Sequence, residues 1–387
     1  MAKTIVVLGA NFSGLPVAHY LLSRTSQKVK DLKVIVVSPS THFYWHLATV
    51  RAILPDMLPD DKIFLPIAPT FAKYRSEQYE LVLGKAKKLD PNNNSVEVAT
   101  NEGEHRTIKY DAVIIATGST FKEGMPFKML SSMEETKARL HEYRKRVASA
   151  KSIVVAGAGF TGVELAGELG TEHGSKKQIT LIMDKDLPLL EKYKTDVREV
   201  ARKDLQKLNV KLVTNARVTA VSPTAPDGPV TLELTKNGGK KETLEADLYL
   251  PTFGVSPNTQ YLPDSMLDAN GYVNQTKELR ALGYDNIFVV GDAGNLEAPQ
   301  GVVADKQAIH LVKILGAYLT GEAIPEYQVD PKIMFGLSLG KSKGTGQMGN
   351  WRPWGFLIAY MKSRYLGTDY APAFVAGTRT ITARSWA

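Results

Sequence analysis

Two strand–glycine–helix openings, and two further apolar strands that end in small-residue turns, predict an α/β fold with two Rossmann-like units. The first opening runs from Thr4-Ile5-Val6-Val7-Leu8 through Gly9-Ala10-Asn11-Phe12-Ser13-Gly14 into a helical stretch from Leu15 to Arg24. The second lies about 150 residues later. There Ile153-Val154-Val155-Ala156 leads through Gly157-Ala158-Gly159-Phe160-Thr161-Gly162 into Val163-Glu164-Leu165-Ala166-Gly167-Glu168-Leu169. The further strands are Tyr110 to Ile115, leading into Ala116-Thr117-Gly118-Ser119, and Asn286 to Val290, leading into Gly291-Asp292-Ala293-Gly294. Both deliver compact or acidic residues to the carboxyl edge where α/β sheets bind ligands.

The second opening is the more regular. A continuous apolar run reads as a fully buried parallel strand. Gly157 permits the tight turn, Gly159 lets the backbone approach a pyrophosphate, and Gly162 lets helix and strand pack closely. Thr161 sits in the same loop, and the helix N-terminus supplies N–H donors to the phosphates. A second strand, Gln178 to Met183, ends at Asp184, where an acid can accept the ribose hydroxyls of an adenosine. A carboxylate there repels a 2′-phosphate and favours NADH over NADPH, whereas Lys185 beside it keeps NADPH open.

The first opening departs from the pattern. Asn11 stands at the second-glycine position and brings a Cβ toward the phosphates, although Asn tolerates positive φ better than most residues. Ser13 and Gly14 complete the loop. The following strand, Lys33 to Val37, ends at Ser38, which can hydrogen-bond a ribose hydroxyl more weakly than a carboxylate would. By itself this half fits a cofactor site and a degenerate scaffold equally. Asp292, behind its strand, can hydrogen-bond the hydroxyls of a ribityl chain.

The order along the chain is informative. It runs first opening, Ala116-Thr117-Gly118 turn, second opening, Thr252-Phe253-Gly254 turn before Ser256-Pro257-Asn258, then Gly291-Asp292. Over about residues 1–325 this order resembles the flavoproteins with two dinucleotide-binding domains. In those proteins an NAD(P)H domain is inserted in an FAD domain, which implies FAD-binding parts at 1–121 and 249–325 and an NAD(P)H-binding insert at 122–248. A C-terminal segment, 326–387, follows. Three stretches are similar to the apoptosis-inducing-factor-like branch that contains ferroptosis suppressor protein, related to type II NADH dehydrogenases. They are Ser40-Thr41-His42-Phe43-Tyr44-Trp45-His46 with Val50-Arg51-Ala52, Gly162-Val163-Glu164, and the closing part from Met334 through Gly344-Thr345-Gly346-Gln347 to Met361-Lys362-Ser363-Arg364. Gly9 to Ala18 is similar to fungal members of that branch. The resemblance implies an FAD enzyme that oxidises NADH or NADPH and passes electrons to a small acceptor, for some members a quinone at a membrane.

Within that frame Glu164, in the first turn of the insert's helix, has its charge stabilised by the helix N-terminus. It either orients nicotinamide, pairs with a base such as Arg51 near the flavin, or only satisfies the helix dipole. Lys362 matches a family lysine near the active site and is the second catalytic candidate.

Composition narrows the chemistry. The 387 residues are 43% hydrophobic and 23% charged, with no cysteine, so disulfide exchange, thiolate metal sites and cysteine nucleophiles are all excluded. The seven histidines show no metal-ligand spacing. A net charge of +8 suits anionic cofactors, but the basic residues are dispersed rather than gathered on one face, against nucleic-acid binding. No segment approaches the ~20 apolar residues that span a bilayer. A strand starting at Thr4 leaves no room for a signal or transit peptide, Ala2 excludes N-myristoylation, and the expected compartment is cytoplasmic. Residues 326–387 hold Trp351, Trp354 and Trp386 among basic residues, which fits a lid over the flavin, a membrane contact or an oligomer contact. A dedicated metabolite as acceptor, or a non-enzymatic nucleotide sensor, are the competing classes. Oligomeric state is not set by the sequence.

Overall fold

The structure, a computed structural model, describes residues 3–121, 123–223 and 228–387; Met1, Ala2 and the expected boundary residue Lys122 lie outside these. The expected α/β fold with two Rossmann-like sheets is present. The first sheet has seven strands in the spatial order Ile287–Val289, Ala112–Ile115, Lys3–Leu8, Leu32–Ser38, Tyr79–Asp90, Ser95–Thr100 and His105–Lys109. The first five are parallel and the last two are antiparallel. Lys3–Leu8 lies between two parallel partners, and its Ile5, Val6, Val7 and Leu8 are at most 1% exposed. That double-sided burial is why the strand reads as an unbroken apolar run.

The second sheet is a four-stranded parallel layer, Val210–Val213, Gln178–Ile182, Ser152–Ala156 and Leu248–Pro251. A three-stranded antiparallel sheet, Ala216–Pro223, Val230–Lys236 and Lys241–Ala246, packs beside it. Leu248–Pro251 is buried along its whole length and pairs with Ser152–Ala156, so the boundary expected at 248 falls inside the insert's own sheet. Chain exit and return are tied together by an antiparallel pair, Ser119–Phe121 with Val255–Pro257.

Helix Met133–Ser149 leads into the insert. Its N-cap Ser132 accepts the Glu135 N–H, with Glu134 and Glu135 in the first turn, a combination that satisfies orphan donors and the helix dipole. It buries one stripe, Thr136, Leu140, Tyr143 and Val147, at the helical spacing. The Asn92-Asn93-Asn94 and Asn237-Gly238-Gly239 turns join antiparallel strands, with Asn94, Gly238 and Gly239 at positive φ. Among the described residues no helix is long and apolar enough to cross a membrane.

The C-terminal segment is integral to the core. It forms the hairpin Met334–Ser338/Gly344–Met348, the short helix Gly355–Ile358 continued by the π-helical turn Ala359–Ser363, and helix Ala371–Val375. The fully buried Trp45 indole donates to the Leu366 carbonyl (2.8 Å), and Asp305, also fully buried, accepts four bonds from Thr380, Ile381 and Thr382. His19, on helix Gly14–Ser23, stacks on Phe71. Its Nε2 donates to the Val375 carbonyl and its Nδ1 accepts from the Tyr74 hydroxyl, each at 2.9 Å.

Burial, and secondarily the nearby Lys73, lower the His19 pKa from 6.5 to about 3, against the Val375 hydrogen bond. The unfolded chain therefore binds a proton that the folded chain refuses. Stability from this group is fully present above pH 6.5 and falls as pH drops toward 3, with a slope of about 1.4 kcal/mol per pH unit. His19→Gln should flatten that part of the curve. Urea midpoints between about pH 7 and pH 4 measure it, and parallel curves for the two proteins would exclude His19 as the source.

Candidate active site

A cavity of about 1130 Å³ opens where the first sheet's carboxyl edge meets the insert's helix Phe160–His173 and the C-terminal segment. This is more than a drug-sized pocket needs. From the first half, Gly9, Asn11, Ser13, Ser38, Ala116, Thr117, Gly118 and Asp292 line it. From the insert come Thr161 and Glu164, and from the C-terminal segment Lys362. The other expected site residues, Gly14, Arg51, Gly157, Gly159, Gly162, Asp184, Gly254 and Gly291, stand outside its wall.

The glycines explain the shape of both turns. Gly157 has φ of +100°, a region that L side chains rarely adopt. A Cβ on Gly162 would lie 1.8 Å from the Gly157 carbonyl oxygen, whereas one on Gly159 would meet nothing within 4 Å. Gly9 and Gly14 repeat the arrangement, with φ of +107° and a clash distance of 1.9 Å. Asn11 is not among the positive-φ residues, so the tolerance expected of its side chain is not called upon. Its Oδ1 is buried without a protein partner among the described residues, as is Nδ1 of His46, and both residues line the cavity. Buried polar atoms of this kind call for a ligand or water. With a helix N-terminus behind them, they fit an anionic dinucleotide. Gly291 at φ +76° brings its N–H to Gln307 and leaves no space for a Cβ beside Ser13.

Asp292 has two protein partners facing the cavity. Its Oδ2 accepts from the Ser119 hydroxyl (2.8 Å) and pairs with the Lys128 ammonium, which also donates to Ser119 Oγ (2.7 Å). Burial pushes the Asp292 carboxyl up, but the Lys128 charge and these hydrogen bonds more than reverse it and hold it below the usual range. His46, beside this pair, has its pKa lowered to about 3 by burial and the Lys128 charge, so it faces the cavity as neutral imidazole. Ser38 turns its hydroxyl onto the Ser40 carbonyl (3.1 Å) at the far end of the cavity.

The partner expected for Glu164 is corrected. Glu164 Oε1 accepts from Lys362 Nζ (2.6 Å) and from the Ser338 N–H (2.9 Å), and Lys362 also donates to the Gly336 carbonyl (2.7 Å). Arg51 instead makes a bidentate pair with Glu168, Nε to Oε2 at 2.8 Å and Nη2 to Oε1 at 2.7 Å. Arg51 is 3% exposed and Glu168 1%, too deep to touch a ligand. Glu168 follows Glu164 by four residues and so shares its helix face, a signal present in the sequence. Lys128 had none, because it lies in an irregular segment.

Asp184 stands two residues beyond the end of strand Gln178–Ile182 and pairs with Arg217 at 3.0 Å on the surface. Trp351, Trp354 and Phe356 are 48%, 64% and 70% exposed and do not line the cavity, which goes against a lid over the flavin. The inner wall there is made by Met334, Phe335, Met348, Ile358 and Met361. Phe160, Phe335 and Tyr193 contact one another edge-on at its border. A helix of four residues carries too little periodicity for its faces to be assigned from sequence.

The glycine geometry gives a paired expectation. Gly162→Ala should destabilise the protein by about 1–3 kcal/mol, the cost of overpacking. Gly159→Ala should leave the thermal midpoint unchanged and weaken dinucleotide binding. Calorimetry with a nucleotide titration separates the two, and a stable, nucleotide-binding Gly162→Ala protein would contradict the packing role.

The chain is similar to known proteins over most of its length. Residues 3–308 match the family model described as pyridine nucleotide-disulphide oxidoreductase. The chain is 39% identical over 378 residues to Oxidoreductase ptaL of Pestalotiopsis fici, covering 97% of this chain and 99% of that protein. It is 26% identical to ferroptosis suppressor protein 1 of Taeniopygia guttata, covering 94% and 93%. In fold it is similar to the sulfide:quinone oxidoreductase of Aquifex aeolicus, with a TM-score of 0.78 at 17% identity, covering 97% and 92%. This chain, without a single cysteine, belongs to the pyridine nucleotide-disulphide oxidoreductase family.

Proposed function

We propose that the protein is an FAD-dependent oxidoreductase that takes hydride from NAD(P)H and passes two electrons to a flat, largely apolar acceptor, a quinone. One observation carries this reading. A single cavity is lined by the first glycine turn, the first turn of the insert's helix and the C-terminal segment, so donor, carrier and acceptor share one space. Bound FAD supplies the two-electron chemistry between nicotinamide and acceptor.

The chain's own residues bind, orient and exclude water. The Gly9–Gly14 turn and its helix N-terminus would hold a pyrophosphate, Ser38 a ribose, and Asp292 with Lys128 the polar groups between. In the insert, the Gly157–Gly162 turn would hold the second pyrophosphate and Thr252, bonded to the Ala156 and Gly157 carbonyls, keeps that turn in place. Glu164 and Lys362 form the polar edge of a wall that is otherwise Met334, Phe335, Met348, Ile358 and Met361. Thioether and aromatic side chains suit a planar apolar molecule. The Lys362 ammonium stabilises the negative charge that develops on an acceptor oxygen. Outside, Trp354, Phe356, Tyr360 and Met361 are exposed, and Met361 reaches from this patch into the cavity wall. A lipid surface covering the patch would present an apolar acceptor at the opening.

The test is stopped-flow flavin reduction by NADH and NADPH, followed by reoxidation with a soluble benzoquinone and with quinone held in phosphatidylserine-containing vesicles. Lys362→Met should slow quinone reduction and leave reduction by NADH intact. Trp354→Ser with Phe356→Ser should lower turnover of vesicle-held quinone only. Wild-type protein that purifies without flavin and cannot be reconstituted with FAD would sink the reading.

Nucleotide preference turns on the Asp184–Arg217 pair. The carboxylate suits a ribose hydroxyl and the guanidinium a 2′-phosphate. NADH should be preferred, Asp184→Ala should shift preference toward NADPH, and Arg217→Ala should shift it further toward NADH. Ratios of kcat/KM for the two nucleotides decide it, and a wild-type preference for NADPH would reverse the assignment.

A further inference from the structure

Arg51 makes contacts that a structural ion pair alone does not explain. Besides its two bonds to Glu168, its Nη2 donates to the Ser363 carbonyl (2.7 Å) and its Nη1 to the Arg364 carbonyl (3.1 Å). All three partners lie in other parts of the chain, Glu168 on the insert's helix and the two carbonyls in the C-terminal segment. Those carbonyls stand at the end of the π-helical turn Ala359–Ser363, which the Arg364 N–H closes onto the Ala359 carbonyl (2.9 Å). Terminal carbonyls of a helix need outside donors, and here a guanidinium from residue 51 supplies them.

Lys362 is the residue just before those carbonyls. Its ammonium is gripped at the tip by Glu164 Oε1 and the Gly336 carbonyl, and its backbone is gripped from behind by Arg51. Ser338 adds a cross-tie, its N–H on Glu164 and its hydroxyl 3.4 Å from Glu168 Oε1. Glu164 and Glu168, four residues apart on one helix, thus hold the two ends of the same lysine-bearing turn. Stability is a poor reason for burying such a pair. Well-packed apolar replacements of buried ion pairs are often neutral or stabilising. Burial raises the Glu168 carboxyl pKa, and the Arg51 charge opposes that.

From this arrangement we infer that Arg51 and Glu168 are a positioning pair, whose task is to set the Lys362 ammonium against Glu164 at the cavity wall. Neither touches a ligand. Both act through Lys362. The kinetic consequence rests on the proposed acceptor role of Lys362, whereas the placement of the lysine does not.

The experiment uses the full-length holoprotein as wild type, Arg51→Lys, Glu168→Gln and the double variant Arg51→Met/Glu168→Leu. The double variant removes both charges together, so neither is left buried and unpaired. The first readout is competitive acylation of lysines with an amine-reactive reagent, followed by peptide mass spectrometry, with the exposed Lys341 as internal reference. Lys362 should be labelled several-fold faster in the double variant, and to an intermediate degree in Arg51→Lys, which keeps the charge but not the fork. The second readout is steady-state turnover of a soluble benzoquinone. Its kcat should fall about 10- to 100-fold, as when a placed group moves by about an ångström, with KM for NADH unchanged. A purely structural role would instead lower flavin content and the thermal midpoint and leave Lys362 labelling relative to Lys341 unaltered. Wild-type labelling of Lys362 in flavin-replete variants overturns the proposal. If the double variant does not fold, the same labelling comparison in Glu168→Gln and Arg51→Lys decides. If the wild type reduces no quinone, the functional reading fails while the labelling comparison still tests the positioning pair.

Discussion

A missing Cβ sets the geometry on which both halves of the molecule depend. In each Rossmann unit a glycine at the start of the helix lies so close to the carbonyl of the turn's first glycine that a side chain would sit at 1.8 or 1.9 Å. Only that approach lets the helix start directly over the strand's end, with its unsatisfied N–H groups aimed outward. The cavity's position follows from it. The first turn makes the floor, and the insert's helix brings Thr161 and Glu164 to the facing wall.

Two folds alone would leave that cavity open on its third side. The C-terminal segment closes it, and it is held by buried polar bonds as much as by apolar contact. Trp45 to Leu366, His19 to Val375, and Asp305 to Thr380 through Thr382 are spaced along its second half. Each joins a residue of the first 325 to one far away in sequence, so each has a large entropy of ordering to overcome. Buried groups of this kind also cost most when left unpaired. The segment therefore adopts one placement or loses several bonds together, which on the proposed reading suits a wall that holds Lys362 at a fixed point.

Much of this was legible in the sequence, for reasons that particular residues show. Ile5 to Leu8 and Ile153 to Ala156 are buried on both faces, so they carry unbroken apolar runs, and the glycines after them sit where a side chain cannot. These are interactions between near neighbours. The unread parts depend on distant partners. Arg51 meets Glu168 across 117 residues, Asp184 meets Arg217 across 33, and Lys128 meets Asp292 across 164. A charged residue states what it can pair with, and only the fold states which partner is in reach. Leu248-Tyr249-Leu250-Pro251 was misassigned at its boundary for the same reason. An apolar run shows that a strand is buried, but not in which sheet.

The family description includes disulphide chemistry that this chain cannot perform, since it has no thiol. On the proposed reading, electrons leave the cavity to a molecule that enters it. The part of the wall that the C-terminal segment offers to that molecule holds the Lys362 ammonium beside three methionines, a phenylalanine and an isoleucine. Such a surface gains contact area with any flat apolar body and makes few demands on hydrogen-bond pattern. Hydrophobic pockets separate ligands that differ by a methylene only weakly, whereas polar sites reject a missing hydrogen-bond partner strongly. On the proposed reading, then, selectivity for the acceptor comes from what the Lys362 ammonium can reach. An acceptor oxygen must arrive within hydrogen-bonding distance of Lys362 while the ring lies against the methionines. That reading places the burden of specificity on the location of one side chain, carried by a turn on which several buried polar contacts converge.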